Sequence, residues 1–491
     1  MKVALASQVR LIDKLSIEEY KINSLTLMKN AATAAFETIV EKIENINSVC
    51  IFCGKGNNAG DGFALANMLV LKNISVFVML LCGEHLSPDA QYYFDHLDPK
   101  VYIVQSLPEA DVYVDAVFGT GFSGTLPKEI ANMFETVNQK DCVRVAIDVP
   151  SGVNCDTGKM DDNSFGAHFT VTFELLKRCH ILPECQSVCG SVLVKNIGLS
   201  QEAIENIDIN TEILEECALP KKSSALHKGT NGTLFNITGC KQYQGAATLS
   251  INSALRCGCG IVTAFIPESI YIPVACKTDG AIIVSCIENS RHTLDCSVIE
   301  TVAEYDKSRT PRAILVGSGL GIDEDTGKIV DFVLKSPYPC VVDGDGLRFV
   351  KKDLLVNRSN ATILTPHMGE FARMCQCSIQ EIIEDRFEIA RKFALEHNVV
   401  LVLKDSVTII SLPNGNQHVL NACNPGLAKG GSGDVLAGMI ASFLAQGFSG
   451  EDAAKNGVWY HSKAGRITAE QLGEYAMLPS DLIKFLPMAL K

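Results

Sequence analysis

The chain has 491 residues, 47% of them hydrophobic and 20% charged, with a formal net charge of −13. Its length exceeds a single typical core, and roughly 100–200 residues per domain gives about two to four domains. The acidic balance excludes a broad nucleic-acid surface, which needs clustered Lys and Arg against phosphate, and no apolar run approaches the ~18–20 residues of a membrane helix.

At the amino terminus "MKVALASQVRLIDKLS" has neither the apolar core of a signal peptide nor the acid-poor, Arg- and Ser-rich character of a transit peptide. A cytoplasmic, prokaryotic chain is the expectation. "SVCIFCG" reads as a buried strand and "DGFALANMLVLKN" as a helix with apolar residues at helical spacing. "SVFVMLLC", "DVYVDAVFG" and "VRVAIDVPSG" read as further strands. Repeated strand–loop–helix units predict an α/β fold with a mainly parallel sheet, whose ligands bind beyond the carboxyl ends of the strands. Those ends carry Gly54, Asp115 and Asp148.

After "VLVKNIGLSQEAI" the segment turns polar and loses periodicity, which marks a boundary. A second α/β series starts at "GTLFNITG" and continues through "GIVTAFIP", "RAILVGSG", "PCVVDGDG", "ATILTPH" and "VVLVLKDSVTIIS". The expectation is two α/β domains, residues 1–212 and 213–491.

The 19 cysteines lack the placement of a disulfide framework, and several sit in apolar runs, as reduced thiols do in a reducing compartment. Cys50 and Cys53 form a CxxC, but on a strand they face opposite ways and cannot share a metal. Cys179, His180, Cys185 and Cys189 in "CHILPECQSVC" lack the paired spacing of a zinc site, and packing is the favoured reading.

In "GKGNNAGDGFALA", Gly54, Gly56 and Ala59 satisfy G-x-G-x-x-A, a weak signal by itself. The ribose-binding acid of a dinucleotide fold is not evident, since Glu84 comes late. A ligand-free strand-to-helix turn is the simple alternative. Against it, Asn57, Asn58 and Asp61 place amides and a carboxylate at a helix N-terminus, which favours anions and polar ligands. "VDAVFGTGFSG" adds Asp115 and a glycine loop, Gly119–Gly124, able to wrap a phosphate with backbone N–H groups. "AIDVPSGVNCDTG" adds Asp148 and Ser151. Oxygens of Asn58, Asp115 and Ser151 suit a weakly bound monovalent cation.

These three stretches resemble the NAD(P)HX epimerase family, over most of residues 1–212, with a Rossmann-like three-layer fold. The resemblance implies contacts to the hydrated dinucleotide at Asn57, Asn58, Ala59, Gly60 and Asp61. It implies more from Gly119, Thr120, Gly121, Phe122, Ser123, Gly124 and Thr125, and from Asp148. It places potassium at Asn58, Asp115 and Ser151, and makes Asp148 the candidate acid/base for interconverting the epimers. Ala59 stands where glycine is frequent, and "LMKNAA" where the family usually shows an acid and a glycine.

Near the carboxyl terminus, "NPGLAKGGSGDVLAG" precedes a helix-like run. Gly430, Gly431 and Gly433 allow close backbone approach, and N–H groups at a positive helix end suit developing phosphate charge. No Walker loop is present. As a base, Asp434 at the helix start must work through proximity to a bound hydroxyl, and a glycine turn with an ordinary N-terminal Asp is the simple alternative. Lys404, between the short strands of "VVLVLKDSVTII", is placed to reach a nucleotide phosphate. His367 in "LTPHMGEFARM" is as compatible with a structural role as with a ligand contact. Asp343 and Asp345 in "VVDGDGL" offer help through magnesium, with turn formation the simpler role.

With "YQGAATLSINSALRCGCGIVTA" and "LVGSGLG" in order, this half resembles the ribokinase-like fold and the NAD(P)HX dehydratase family. The resemblance implies dinucleotide contacts at Ala246, Gly319, His367 and Asp434. It implies nucleotide contacts at Lys404, Asp405, Ser406, Val407 and Thr408. The glycine loop supplies the others: Asn424, Pro425, Gly426, Leu427 and Ala428, then Lys429, Gly430, Gly431, Ser432 and Gly433. Ser318 and Met368 stand where proline is common.

The reading is a bifunctional repair protein. One domain epimerises NADHX and NADPHX with K+. The other, using Mg2+ and ADP or ATP, phosphorylates the added hydroxyl so that phosphate leaves and the ring double bond returns. Bacterial character favours ADP. No nucleic acid or membrane partner is expected, and a homo-oligomer is. Rival readings are a ribokinase-like vitamin-precursor kinase fused to a binding domain, and a nucleotide-binding scaffold.

Overall fold

The computed structural model describes residues 1–83, 85–221, 228–229 and 231–491; Glu84 and part of the polar linker segment lie outside the described residues. The chain divides into two compact α/β units, Met1–Thr211 and Glu212–Lys491. No described helix is long and apolar enough to cross a membrane.

In the first unit a parallel sheet runs in the order Tyr102–Ile103, Ser75–Leu80, Ser48–Cys53, Val112–Ala116, Val143–Ile147, Phe169–Phe173, Ser191–Lys195. Its central strands are apolar on both faces because helices cover both. Cys50 lies in the cluster around Phe134 on one face and Cys53 in the cluster around Phe63 on the other, as strand alternation requires. Alanines of the helix Ser24–Lys42 let it pack closely on Asn57–Val70, where Gly60 leaves room for Met28. The helix Asn57–Val70 begins at Asn57, one turn earlier than the apolar spacing alone suggests. The strands Phe169–Phe173 and Ser191–Lys195 extend the sheet beyond those legible in the sequence.

The second unit holds a ten-stranded sheet. Its parallel part runs Val400–Leu403, Thr362–Leu364, Cys340–Val342, Ala313–Val316, Thr233–Ile237, Ile261–Pro267, Ile282–Cys286. Val407–Ser411 and Gln417–Asn421 add on antiparallel, and Thr211–Ile213 forms the edge. That short edge strand falls in the segment expected to be linker; three residues are too few to show an alternation. The helix Ser432–Ala445 is apolar on every side and buried from Val435 to Ala445, as a central helix must be. Each of Leu436, Met439, Ile440 and Phe443 contributes roughly 1.5–3 kcal/mol by burial. The helix rests on Gln244–Arg256, where Gly438 meets Ser250 and Ser253.

Candidate functional sites

In the first unit, neighbouring strands end in one cluster of polar residues. Strand order reverses between Ser48–Cys53 and Val112–Ala116, the kind of point where α/β sheets bind ligands. A β-carbon built on Gly119 would lie 3.3 Å from Asp148 Oδ2 and 3.7 Å from Asn58 Cγ. Three separate loops therefore meet at Asp148. Asn58 Nδ2 donates to the Phe118 carbonyl at 3.0 Å, tying the helix start to the glycine loop. Asn57 accepts from Ser87 Oγ at 2.7 Å. Gly121, Ser123, Gly124 and Thr125 are exposed, while Phe122 is buried and its N–H donates to Gly119. Cys155 Sγ reaches the Thr120 carbonyl at 3.6 Å. Ala59 is fully buried in the core and Gly60 faces Met28, so both serve helix packing. Asp61 is half-buried.

Asp148 follows the strand Val143–Ile147 with φ of 65°, a left-handed conformation that Asp tolerates better than most residues. Lys177, buried at 1% exposure, holds it there: its Nζ lies 2.5 Å from Asp148 Oδ1 and 2.7 Å from Thr172 Oγ1. Thr172 Oγ1 also donates to Asp148 Oδ1 at 3.1 Å. His180 Nδ1 accepts from the Lys177 N–H, which leaves Nε2 to donate to the Asp148 carbonyl at 3.0 Å. Burial pushes His180 down to about 3, so the ring is neutral. Burial alone would raise Asp148, but the Lys177 charge and hydrogen bond outweigh it and hold the carboxyl below its ordinary value. Asp61 goes the other way, well above the usual range, through burial and the charges of Asp148 and Asp13. Burial and Asp148 likewise push Asp13 up to about 6. Two carboxyls whose values are driven in opposite directions thus influence one another in one site.

Asp115 is fully buried. It accepts from the Ser151 hydroxyl at 2.7 Å and from the backbone N–H groups of Ser151 and Val117 at 2.6 and 3.1 Å. Burial raises it to about 6 against those hydrogen bonds, and no basic side chain is among its influences. Ser151 Oγ also lies 3.4 Å from the Phe118 carbonyl that Asn58 bonds. This all-oxygen set around an uncompensated buried carboxylate fits a monovalent cation. Cys179, Cys185 and Cys189 are buried, and among the described residues no group of three or more His, Cys, Asp or Glu is placed to hold a metal.

In the second unit four adjacent strands each deliver one polar residue at the carboxyl end: Ser318, Asp343, Thr365 and Lys404. Asp343, 2% exposed, gathers them. It accepts from Ser318 Oγ at 2.8 Å, Thr365 Oγ1 at 2.6 Å and Lys404 Nζ at 3.1 Å. The sequence suggested a turn former or a magnesium ligand; the structure shows the anchor of the lysine, with acceptor capacity left on Oδ2. Asp345 accepts from the Gly321 N–H at 2.9 Å, and burial raises it.

A β-carbon on Gly433 would stand 3.0 Å from Lys404 Nζ, so the glycine loop reaches the lysine through backbone alone. Asp434 is the third residue of the following helix, which Gly431 opens at a φ of 104°. Burial, and then the charge of Asp343, push Asp434 up to about 7 despite Lys404. Burial alone would lower Lys404, but Asp343 and Glu370 outweigh it and raise its value. A proton acceptor poised near neutrality stands beside a fixed cation and a row of helix-end amides, an arrangement suited to phosphoryl transfer to a hydroxyl. Gly319, at a φ of 60°, leaves room for Ala246, which a β-carbon would approach to 2.7 Å.

Other predicted residues hold the loops. His367 Nδ1 caps the helix Met368–Cys375 by accepting from Gly369 at 3.0 Å, its ring 57% exposed. Asp405 pairs with the buried Arg386 at 3.1 Å. Val407 is buried in its strand, whereas Ser406 and Thr408 are partly exposed. Asn424 Oδ1 accepts from the Gly426 N–H and shapes the turn Pro425–Leu427. Lys429 spends its ammonium on the carbonyls of Tyr475 and Met477, both at 2.7 Å, leaving only its backbone for a ligand. Ala428 and Gly430 are exposed, and Ser432 contacts His461 at 3.2 Å. Sequence reasoning missed Lys177, Thr172 and Thr365, and weighed His180 only with the cysteines around it. "VTFELLKRCH" carried a basic pair after a strand as the available signal, but only the sheet aims it at Asp148.

Two family models match the chain: NAD(P)H-hydrate dehydratase over residues 234–488, and the YjeF-related protein N-terminus over residues 24–179. The bifunctional NAD(P)H-hydrate repair enzyme of Moorella thermoacetica is 35% identical, covering 100% of this chain and 97% of its own. That of Dictyoglomus turgidum is 32% identical over 100% of this chain and 98% of its own. Among solved structures, an ADP/ATP-dependent NAD(P)H-hydrate dehydratase from Bacillus subtilis, co-crystallised with ATP and Mg2+, is 29% identical with a TM-score of 0.50. That match covers 55% of this chain and 93% of the other.

Proposed function

The chain belongs to the bifunctional NAD(P)H-hydrate repair enzymes, and from that premise we propose which residues carry each half of the repair. The enzyme epimerises NAD(P)HX and dehydrates it to NAD(P)H, the dehydration depending on a nucleotide. The rival readings, a kinase with a stable phosphorylated product and a scaffold, give way to this family membership.

In the epimerase site Asp148, kept ionised by Lys177, takes the proton of the ring hydroxyl as the carbon–nitrogen bond opens to an aldehyde. Asp61, pushed toward its protonated form by burial and by Asp148, protonates the departing nitrogen. Closure over the other face returns both protons. Two carboxyls with values driven apart are the physical signature of such an acid–base pair. Asn57, Asn58 and the Gly119–Thr125 loop hold the dinucleotide. Asn58, Asp115 and Ser151 would hold potassium, which would supply positive charge for its phosphates.

In the dehydratase site Asp434 accepts the proton of the same hydroxyl as its oxygen attacks the terminal phosphate of the donor. Lys404 and the amides of Gly430 to Gly433 stabilise the charge that develops. Phosphate then leaves far more readily than hydroxide, and the departing phosphate takes the neighbouring ring proton whose loss restores the double bond. Ala246 and Gly319 form the wall against the dinucleotide. Mg2+ would supply charge neutralisation to the donor phosphates, and Asp343 Oδ2, Asp345 and Glu370 are the carboxylates that would hold it together with the phosphates. ADP is the donor we favour, in a cytoplasmic homo-oligomer.

The observation that carries the reading is Asp434 poised near neutrality beside Lys404 and Gly433. The test is recovery of near-ultraviolet NADH absorbance from mixed NADHX epimers, with ADP and ATP in parallel. Asp434→Asn abolishes recovery while nucleotide binding persists. Equal loss of both would remove Asp434 from the chemistry.

A further inference from the structure

A sheet edge that faces water presents a row of unpaired backbone N–H and C=O groups, and folded chains blunt such edges with short strands, charge or proline. Among the described residues, three of the four edges of the two large sheets are blunted in this way. Tyr102–Ile103 has two residues, and Thr211–Ile213 has three with Glu212 exposed between its neighbours. Ser191–Lys195 ends in an ammonium. The fourth edge, Ile282–Cys286, is different: five residues long, with no charge and no proline from Ala281 to Ile287. Its inner side pairs with Ile261–Pro267, and its outer side has no strand against it among the described residues.

Alternation along the strand divides its side chains between two faces. Val284 and Cys286 are buried on one. Ile283 turns to the other, against the cluster that holds Val274 of the helix Tyr271–Ala275. On this second face the apolar surface continues into water: Ser285 is exposed, Ile287 is 66% exposed, and Ile272 of the helix is 71% exposed. Apolar side chains gathered at an unpaired edge mark a surface that another chain covers.

The chemistry of the edge selects its occupant. An uncharged apolar strand complements another like itself, and two copies related by a twofold axis meet antiparallel, with the same patch on both sides. That approach brings the Lys277–Asp279 end of one strand beside the Glu288–Arg291 end of the other. Each end holds one acid and one base, so unlike charges are available on both flanks. Resting on the reading of the chain as a homo-oligomer, we infer that Ile282–Cys286 pairs with the same strand of a second copy. Ile272 and Ile287 close over the joint.

The test uses the full chain. Light scattering gives the mass of the assembly, and hydrogen exchange at a series of protein concentrations reports the outward amides of Ile282–Cys286. In the native chain those amides gain protection as concentration rises and the assembly forms. Ser285→Lys, at an exposed position, places an ammonium from each copy on the same face of the joint. It halves the assembly mass, raises the dissociation constant about 100-fold or more and removes that protection, while kcat for dehydration stays native. Ile287→Lys acts in the same sense. Unchanged mass in both variants would overturn the inference and leave the homo-oligomer reading standing, as would native amides whose exchange ignores concentration. A native chain that stays monomeric would remove both. If either variant fails to dehydrate NADHX, the concentration dependence in the native chain decides by itself.

Discussion

Replacing Lys177 by Met removes the charge that holds Asp148 while keeping most of the buried stem's volume. In the native chain the ammonium lies 2.5 Å from Asp148 Oδ1 and its side chain is 1% exposed. Without it the carboxylate is buried with no cation, and such a group takes up a proton. That uptake caps the penalty: protonating at pH 7 a carboxyl of ordinary value 3.8 costs about 4 kcal/mol. The sign of the pH dependence follows. In the native chain Asp148 is held below 3.8, so its stabilisation is present above that pH and fades as pH falls through the lower folded value. In the variant the carboxyl titrates above 3.8, so the loss is small near pH 4 and grows toward neutrality, reaching about 2 kcal/mol at pH 5. Hydrogen exchange of the strands Val143–Ile147 and Phe169–Phe173, compared between native and variant chains at each pH, reads this loss. Epimerisation, followed by separating the two NADHX epimers, falls by about 100-fold or more at pH 7 because a protonated Asp148 accepts nothing. A protection loss that does not grow with pH, or epimerisation within about threefold of native, would refute the reasoning.

The dehydratase tests concern groups in contact. Because Asp434 sits at about 7, kcat for dehydration rises through neutral pH and levels off above it; a flat profile from pH 5 to 9 would assign the proton transfer elsewhere. Gly433→Ala places a methyl 3.0 Å from an ammonium that Asp343 pins, and dehydration drops about tenfold or more with little effect on epimerisation. Thr365→Val strips a 2.6 Å hydrogen bond from the buried Asp343 and lowers the stability of the C-terminal unit by about 1.5–3 kcal/mol, measured from the Trp459 emission during denaturation. Exchanging K+ for a bulky organic cation slows epimerisation and spares dehydration; equal loss in both would detach the cation from Asp115.

The sequence by itself determined the α/β class, because buried parallel strands need continuous apolar runs and the helices between them need apolar spacing. It determined the glycine loops at strand ends, and with them Asp148, Asp115 and Asp434, since turns and helix starts are local. It also determined that Cys50 and Cys53 cannot share a ligand, which follows from the two-residue period of a strand. Only the tertiary structure decided which groups give those aspartates their charge. Lys177 reaches Asp148 across the sheet from 29 residues downstream, and Asp343 gathers Ser318, Thr365 and Lys404 from three other strands. Likewise the tie of the Lys429 ammonium to Tyr475, and the capping of a helix by His367 Nδ1, are contacts that no local pattern announces. Spacing along a chain fixes how a residue points relative to its neighbours. The field it feels is set by groups that only sheet order brings within a few ångströms, and that field decides which carboxyl is held below its ordinary value and which is pushed above it.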